Sequence, residues 1–458
     1  MAKKKILYQP WIFESLIFSI INWVFEIIAK FIYSLSMSKY IFLWRFERII
    51  PYRARRNHTF IMAWSGSGKT ELIKLIIYSL INSKRKISIV LFDVHWDLGN
   101  QVAQWKEFWV YKNRLVIIDM FLKEGYMPSF NPFYLKERTE KNIGRMTQAL
   151  IGTFESLLGN SFTARMESVL RYCVPVLLRR ENSSMKDLKR FMDIWEYQNN
   201  QDLIKLGLNS PFPEHREFFS NDFLDSSLDP TKRGLRDRIS AYLSSPIFAK
   251  FTTGKNSIDL EKLINQGKVI VLNISKWNLW DEISKAMWGL IFWYLQYLAF
   301  KRNDMPISHR RDVQVFIDEY QNLTVKDPKK FEDMLSEARK FGFSLTLANQ
   351  YPKQIWADLR EAIEENAQVK IRWYSQKDDD LKKLRTWEFY VEIIWREKFK
   401  MTAPKFLLWS KNKMRKRKWD RVIKYQIDRY YRSIEKEIPA MGNIKDDVLL
   451  SLTKIIDS

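Results

Sequence analysis

The run Met62-Ala63-Trp64-Ser65-Gly66-Ser67-Gly68-Lys69-Thr70-Glu71 restricts the fold of this chain more than any other stretch. Two closely spaced glycines followed by Lys-Thr have the spacing of a phosphate-binding loop. Small residues let backbone N–H groups converge on a β-phosphate, the lysine reaches the β- and γ-oxygens, and the threonine hydroxyl meets Mg2+. Such a loop works between a buried strand and a helix, a setting that a chance match lacks. Here residues 58–62 (HTFIM) read as a buried strand, and 71–80 carry apolar residues at helical spacing. Ala63 stands where the first glycine of the pattern usually is; a glycine is needed there only if φ is positive, so alanine is tolerated. Ala63, Trp64, Ser65, Gly66, Ser67, Gly68, Lys69, Thr70 and Glu71 are read as the nucleotide contact, with ATP and Mg2+ as the expected cofactors.

Further strand-like runs occur at 86–94 (KISIVLFDV), 116–120 (VIIDM), 269–273 (VIVLN), 313–318 (VQVFID), 343–348 (FSLTLA) and 369–374 (VKIRWY). Short β-branched runs of this kind suit a parallel sheet buried on both faces. From about 136 to 251 the spacing turns helical, broken at Pro211, Pro213 and Pro230. A sheet interrupted by helices suggests an inserted domain. The run ending Ile317-Asp318-Glu319 brings a carboxylate to the C-terminal end of a strand. There Asp318 can hold the hydration shell of Mg2+, and Glu319 can polarise the attacking water. A metal carboxylate beside a basic one favours hydrolysis over binding alone. Asn349-Gln350 closes the next strand and places an uncharged amide near the γ-phosphate; the plain alternative is an Asn-Gln turn.

Length and charge set the outer bounds. A chain of 458 residues exceeds the usual size of one hydrophobic core, so two or three domains are expected. One cysteine, Cys173, in an apolar helical stretch, excludes a disulfide framework and a four-ligand zinc site and fits a reducing compartment. His95 and His215 are isolated and read as structural. The net charge of +23 is concentrated near the ends: residues 396–432 hold 14 Lys or Arg against three acidic residues, and residues 1–57 hold ten against three. Between 11 and 33, Ser15, Ser19, Asn22, Glu26 and Lys30 fall on one stripe of an otherwise apolar helix. It lacks the small-residue cleavage site of a signal peptide, so it is expected to be retained. Three readings stay open: a helix in the membrane interface with Lys3, Lys4 and Lys5 on headgroups, a spanning helix whose polar stripe faces other copies, and a soluble helix packed on the body. Arg415, Lys416, Arg417 and Lys418, followed by Trp419 and Tyr430-Tyr431, are read as a DNA contact made through phosphates and base stacking; anionic lipid and a solvated helix face are the alternatives.

Several segments resemble one family. VFIDEYQNL (315–323), MLSEARKFGFSLTLANQYPKQI (334–355), FNPF (130–133), SFTARMESVLRY (161–172) and KVIVLNIS (268–275) are similar to the conjugative coupling proteins of type IV secretion, of TraG/TraD type, within the HerA/FtsK superfamily of DNA-pumping ATPases. The likeness runs from about residue 58 to 394. It implies a RecA-like P-loop domain with an all-helical insertion, a hexameric ring, Gln350 as sensor, and Arg339 reaching the nucleotide of a neighbouring subunit. The alternative for Arg339 is a helix-surface arginine near Glu337 and Lys340. Asp93, in FDVHWDL, matches an acidic position of a family motif usually written D-P-x-G-D-L, with Val94, His95 and Trp96 as departures. N-terminal membrane helices are usual in the family.

The expected architecture is therefore an α/β RecA-like P-loop NTPase with a mainly parallel central sheet, in five parts: an N-terminal amphipathic or membrane-anchoring segment (1–50), an ATPase domain in two parts (51–135 and 261–395) around an inserted helical domain (136–260), and a basic C-terminal tail (396–458). The expected function is an ATP-driven DNA translocase, with Glu319, Lys69, Gln350 and Arg339 catalytic, Thr70 and Asp318 at the metal, and DNA, a homo-hexameric ring, the membrane and secretion-channel or relaxase-type cargo proteins as partners. It is expected at the cytoplasmic membrane with the ATPase in the cytoplasm, or else in the cytoplasm. A packaging or protein-secretion ATPase on the same fold, and a receptor that recruits nucleoprotein with little motor activity, are the competing functions.

Overall fold

A computed structural model of the protein describes residues 46, 49–83, 87–194, 199–274, 279, 281–322, 328–351, 357–373, 384–403 and 412–434. The amphipathic segment 11–33 lies outside them. The chain divides into two compact units, residues 1–54 and 55–458; the second holds all that follows. Among the described residues no helix is long and apolar enough to cross a membrane.

Among the described residues eleven strands follow the predicted runs closely and add to them: β1 (Thr59–Met62), β2 (Ser88–Asp93), β3 (Leu115–Asp119), β4 (Tyr126–Met127), β5 (Val269–Asn273), β6 (Val313–Asp318), β7 (Phe343–Asn349), β8 (Val369–Arg372), β9 (Glu388–Ile393), β10 (Arg396–Thr402) and β11 (Arg432–Ser433). Nine form one sheet in the order β10-β9-β8-β1-β7-β6-β2-β5-β3. From β8 to β3 every neighbouring pair is parallel, and β9 and β10 close the other edge antiparallel. The parallel strands β1, β2, β3, β5, β6 and β7 are buried along their whole length, as the β-branched runs require. In β9 burial alternates, with Phe389, Val391 and Ile393 inward. β10 exposes Arg396, Glu397 and Lys398 along an edge that charged side chains keep from pairing further. Residues 396–402, assigned from the sequence to the tail, thus belong to the sheet.

Helix α1 (Lys69–Ile81) leaves the phosphate loop, and α2 (Asp97–Ala103) follows β2. Between β4 and β5 the described elements are all helical, from α3 (Glu140–Leu158) to Leu260–Asn265. α4 (Asp281–Lys301) lies between this block and the sheet: Trp288 meets Phe92 of β2 at 5.4 Å, and Tyr294 meets Phe130 at 4.9 Å, both edge to face. A Cβ on Gly152 of α3 would stand 3.0 Å from the Trp293 ring, so α3 and α4 approach closely there and a side chain would make the ring give way. The helical block and the sheet share one hydrophobic core, within which Cys173 is fully buried.

The other edge strand, β3, is covered by α5 (Lys416–Tyr430). Gln426 accepts from Ile117 N–H and donates to Leu115 C=O, both at 3.0 Å, and Tyr431 Oη donates to Ile117 C=O and accepts from Asp119 N–H. Two side chains thereby supply what a neighbouring strand would. β11 pairs with β4, and Ser257 donates to Tyr430 C=O, so the C-terminal segment through Ser433 is tied into the body.

Candidate nucleotide-binding site

The parallel sheet brings the ends of β1, β7 and β6 together, and the sequence motifs sit at those ends. Ala63 N–H bonds to Asn349 C=O at 3.1 Å, which joins the start of the phosphate loop to the end of β7. Gly66 has φ 80° and Gly68 φ 99°, a region where a side chain is strained. Ala63 follows β1 with ordinary backbone, so the missing first glycine has no conformational cost. Lys69 and Thr70 open α1, whose first N–H groups have no partner within the helix and point along the positive end of its dipole.

Lys69 Nζ lies 2.8 Å from Asp318 Oδ1 and also bonds Glu319 Oε1, all three side chains being buried. Gln350 Nε2 donates to Glu319 Oε1 at 2.7 Å, Gln350 Oε1 accepts from Ser65 Oγ at 2.9 Å, and Gln321 Nε2 donates to Glu319 Oε2. Glu319 has φ 58°, a conformation costly for a non-glycine residue and concentrated at functional sites. Burial opposes charge on every member. For Lys69 it is outweighed by the two carboxylates, which hold its pKa above the usual lysine value. For Glu319 it is outweighed by Lys69 and the two amides, leaving the carboxylate below its ordinary range. Asp318, more deeply enclosed and facing Glu319, goes up despite Lys69. One lysine is thus divided between two acids, whose pKa values are displaced in opposite directions.

The residues fit a nucleotide and its metal. Among the described residues, Ser67 Oγ is buried with no hydrogen-bond partner, and none stands within 4 Å of where a side chain on Gly66 would be, which suits a loop shaped around phosphate oxygens. Asp93 supports the site from β2: its carboxylate accepts from Gly99 N–H at 2.7 Å and His95 N–H at 3.0 Å, holding the turn into α2. Burial, then the nearby Asp318, pushes it up to about 7. Trp96, standing where the family motif has glycine, has φ 69°, so the turn keeps the backbone that glycine adopts freely.

Other predicted residues lie apart. Arg339 is exposed on a 3-10 turn (Arg339–Phe341) that leads into β7, so it sits at the amino end of the sheet, away from its own chain's loop. Arg415 precedes α5, and Lys416, Arg417 and Lys418 form its first turn, all four exposed; Lys418 lies 5.2 Å over the ring of Trp109 near the β3 edge. Among the described residues no group of three or more His, Cys, Asp or Glu side chains could hold a metal by itself. Sequence reasoning missed Gln321, whose signal is its place two residues beyond Glu319, and Trp387, whose backbone N–H donates to Ser67 C=O at 2.8 Å.

Residues 53–286, just over half of the chain, match the family model described as the central domain of helicase HerA. No curated protein matches. Among solved structures the chain is similar to the bacterial conjugative coupling protein TrwB, at TM-score 0.50 and 14% identity over 77% of this chain and 86% of that one. A TrwB complex with an ATP analogue gives TM-score 0.51 at 13% identity over 77% and 87%, and one with ADP and Mg2+ gives 0.51 at 13% over 77% and 86%. VirB4 of Thermoanaerobacter pseudethanolicus gives 0.46 at 13% over 76% and 89%. The likeness to TrwB is one of fold, that of a RecA-like P-loop ATPase. By its match over residues 53–286, this chain belongs to the family of the HerA helicase central domain.

Proposed function

We propose that the protein is an Mg2+-dependent ATPase that works as a DNA-translocating motor, of the kind that feeds DNA into a conjugation-type channel. The observation that carries this reading is the meeting of Ser65, Lys69, Asp318, Glu319 and Gln350 at adjoining strand ends in a HerA-family chain. TrwB, of similar fold, is described with an ATP analogue and with ADP and Mg2+.

ATP with Mg2+ supplies an electrophilic γ-phosphoryl group and a stable leaving group. Lys69, the loop N–H groups and Ser67 would hold the phosphates, and Thr70 and Asp318 the metal. Lys69 would then exchange the carboxylates for the phosphate oxygens. Glu319, its carboxylate held below its ordinary range, is left to take a proton from water, with Gln350 and Gln321 holding it in place. Gln350 spans Glu319 and Ser65 of the loop, which suits it to report the state of the γ-phosphate to β7.

On the same reading the chain forms a homo-hexameric ring, and any catalytic role of Arg339 is exerted on a neighbour's nucleotide. Arg415, Lys416, Arg417 and Lys418 contact DNA phosphates: four cations crowd the positive end of α5, a placement that an anionic partner stabilises. Membrane anchoring through residues 11–33, and cargo or channel proteins as partners, complete the proposal.

The test is ATP turnover with and without single- and double-stranded DNA, in the wild type and in Glu319→Gln. DNA should raise wild-type turnover. Glu319→Gln should keep ATP affinity while turnover falls by roughly 10²-fold or more. A Glu319→Gln enzyme turning over at the wild-type rate would show that another group is the base, and turnover indifferent to DNA would favour the receptor reading.

A further inference from the structure

We infer that Trp387 is the wall on which the nucleotide base stacks, and that it makes the site select a base-bearing triphosphate over a bare one. The inference rests on the nucleotide reading above. Strand order fixes two sides of the phosphate loop: β7 and β6, carrying Gln350, Asp318 and Glu319, lie on one side of β1, and β8 and β9 on the other. The γ-phosphate pole belongs with the acids, so the base must leave the loop toward β8 and β9. β9 runs antiparallel to β8, which places its first residue, and Trp387 just ahead of it, at the loop end of the sheet.

Trp387 is built onto the loop. Its N–H donates to Ser67 C=O at 2.8 Å, and its own carbonyl accepts from Ala403 N–H at 2.7 Å, so both ends of the β9–β10 hairpin hold it. A Cβ on Gly68 would stand 3.4 Å from both the Cα and the ring of Trp387. The residue has φ 78°, a strained backbone for a tryptophan, and yet it is only half-buried. A ring that served only as core would be covered, and strain that persists beside a binding loop points to function. The other indole of the loop, Trp64, is engaged elsewhere, packing against Tyr351 at 5.6 Å and Trp373 at 6.2 Å. The planar indole of a half-buried residue at this place suits a purine face, and aromatic stacking is indifferent to the ring's hydrogen-bonding edge.

The test compares calorimetric affinities for Mg-ATP and for inorganic tripolyphosphate in the full-length wild type, Trp387→Ala and Trp387→Phe. Trp387→Ala should weaken ATP roughly 10-fold or more and leave tripolyphosphate within about two-fold, and Trp387→Phe should recover most of the ATP affinity. An equal loss for both ligands in Trp387→Ala means that the indole only props the loop, and overturns the inference. So does unchanged ATP affinity. A wild type that binds neither ligand overturns the nucleotide reading itself, a result distinct from the other two.

Discussion

The two ends of the central sheet carry charge in opposite ways. At the carboxyl end ionisable side chains turn toward one another: Lys69 is divided between Asp318 and Glu319, Asp93 is pushed up by burial, and Asp119, raised for the same reason, accepts from Asn273 at 2.7 Å. At the amino end cations turn toward the backbone. Arg114 donates to Ile81 and Ile87 carbonyls, Arg302 to those of Arg311 and Phe341, and Arg311 to that of Asn265. Each satisfies carbonyls where the chain turns into a strand. The difference teaches that a high positive charge does not by itself mark a binding site, because many of these arginines are committed to the fold. The acid-rich end is different, for on the proposed reading its groups would gain new partners when phosphate and metal arrive. The amino end also bears the most exposed apolar side chains among the described residues, Ile307 at 76% and Val110 at 72%, and it bears Arg339.

The largest expected effect tests whether the two ends work together across subunits. Arg339→Ala chains and Lys69→Ala chains should each be nearly inactive. Mixed in equal amounts, with co-assembly verified by native mass, they should regain hydrolysis up to about one quarter of the wild-type rate, the share of random boundaries that join an intact loop to an intact arginine. No recovery at any ratio would confine Arg339 to structure and leave the amino end without a catalytic part.

A smaller effect separates the cationic face of α5 from its docking face. Gln426→Ala should cost about 2–3 kcal/mol, since it leaves Ile117 N–H and Leu115 C=O unpaired in a buried edge. Lys424→Ala, on the same helix but exposed, should change stability by less than about 0.5 kcal/mol. Urea midpoints would decide; equal values for the two variants would mean that α5 does not seal β3.

The smallest effect sharpens the contrast in ionisation. His58, at the amino end of β1, donates through Nε2 to Leu335 C=O and accepts from Leu345 N–H at Nδ1, so it is neutral. Burial, with a contribution from the Arg339 charge, lowers its pKa to about 4. A histidine with a lowered folded pKa contributes stability above its ordinary value near 6.5, and that stability is lost as pH falls toward 4, because the unfolded chain takes up the proton first. His58→Gln should therefore remove most of the loss of stability that this histidine brings between pH 6.5 and 4. An identical pH profile for the two proteins would place the titrating group elsewhere.

Much of the site was legible because its parts are local. The loop at 63–70, the Asp318-Glu319 pair and the Asn349-Gln350 turn each combine a buried run with polar residues at its end, and a parallel sheet puts all such ends on one side. The parallel strands were legible for the same reason. The β9–β10 hairpin was passed over, although Phe389, Val391 and Ile393 alternate at the period of a half-buried strand. Its signal was masked by the charged residues of β10, which counted toward a basic tail. The docking of α5 had no local signal, since Gln426 is an ordinary helix residue until β3 lies beside it.

The order of apolar runs, glycines and strand-end acids determined by itself that this chain folds as a P-loop ATPase, because a buried strand, a loop of small residues and a helix leave phosphate chemistry little choice of place. Only the tertiary structure decided which charges are available to a partner. It gave many amino-end arginines to backbone carbonyls, laid Trp387 against Gly68 from the far side of most of the chain, and shared Lys69 between two carboxylates. Such pairings depend on distances between elements remote in sequence, and in a desolvated interior it is those distances that set the strength of a charge or a hydrogen bond.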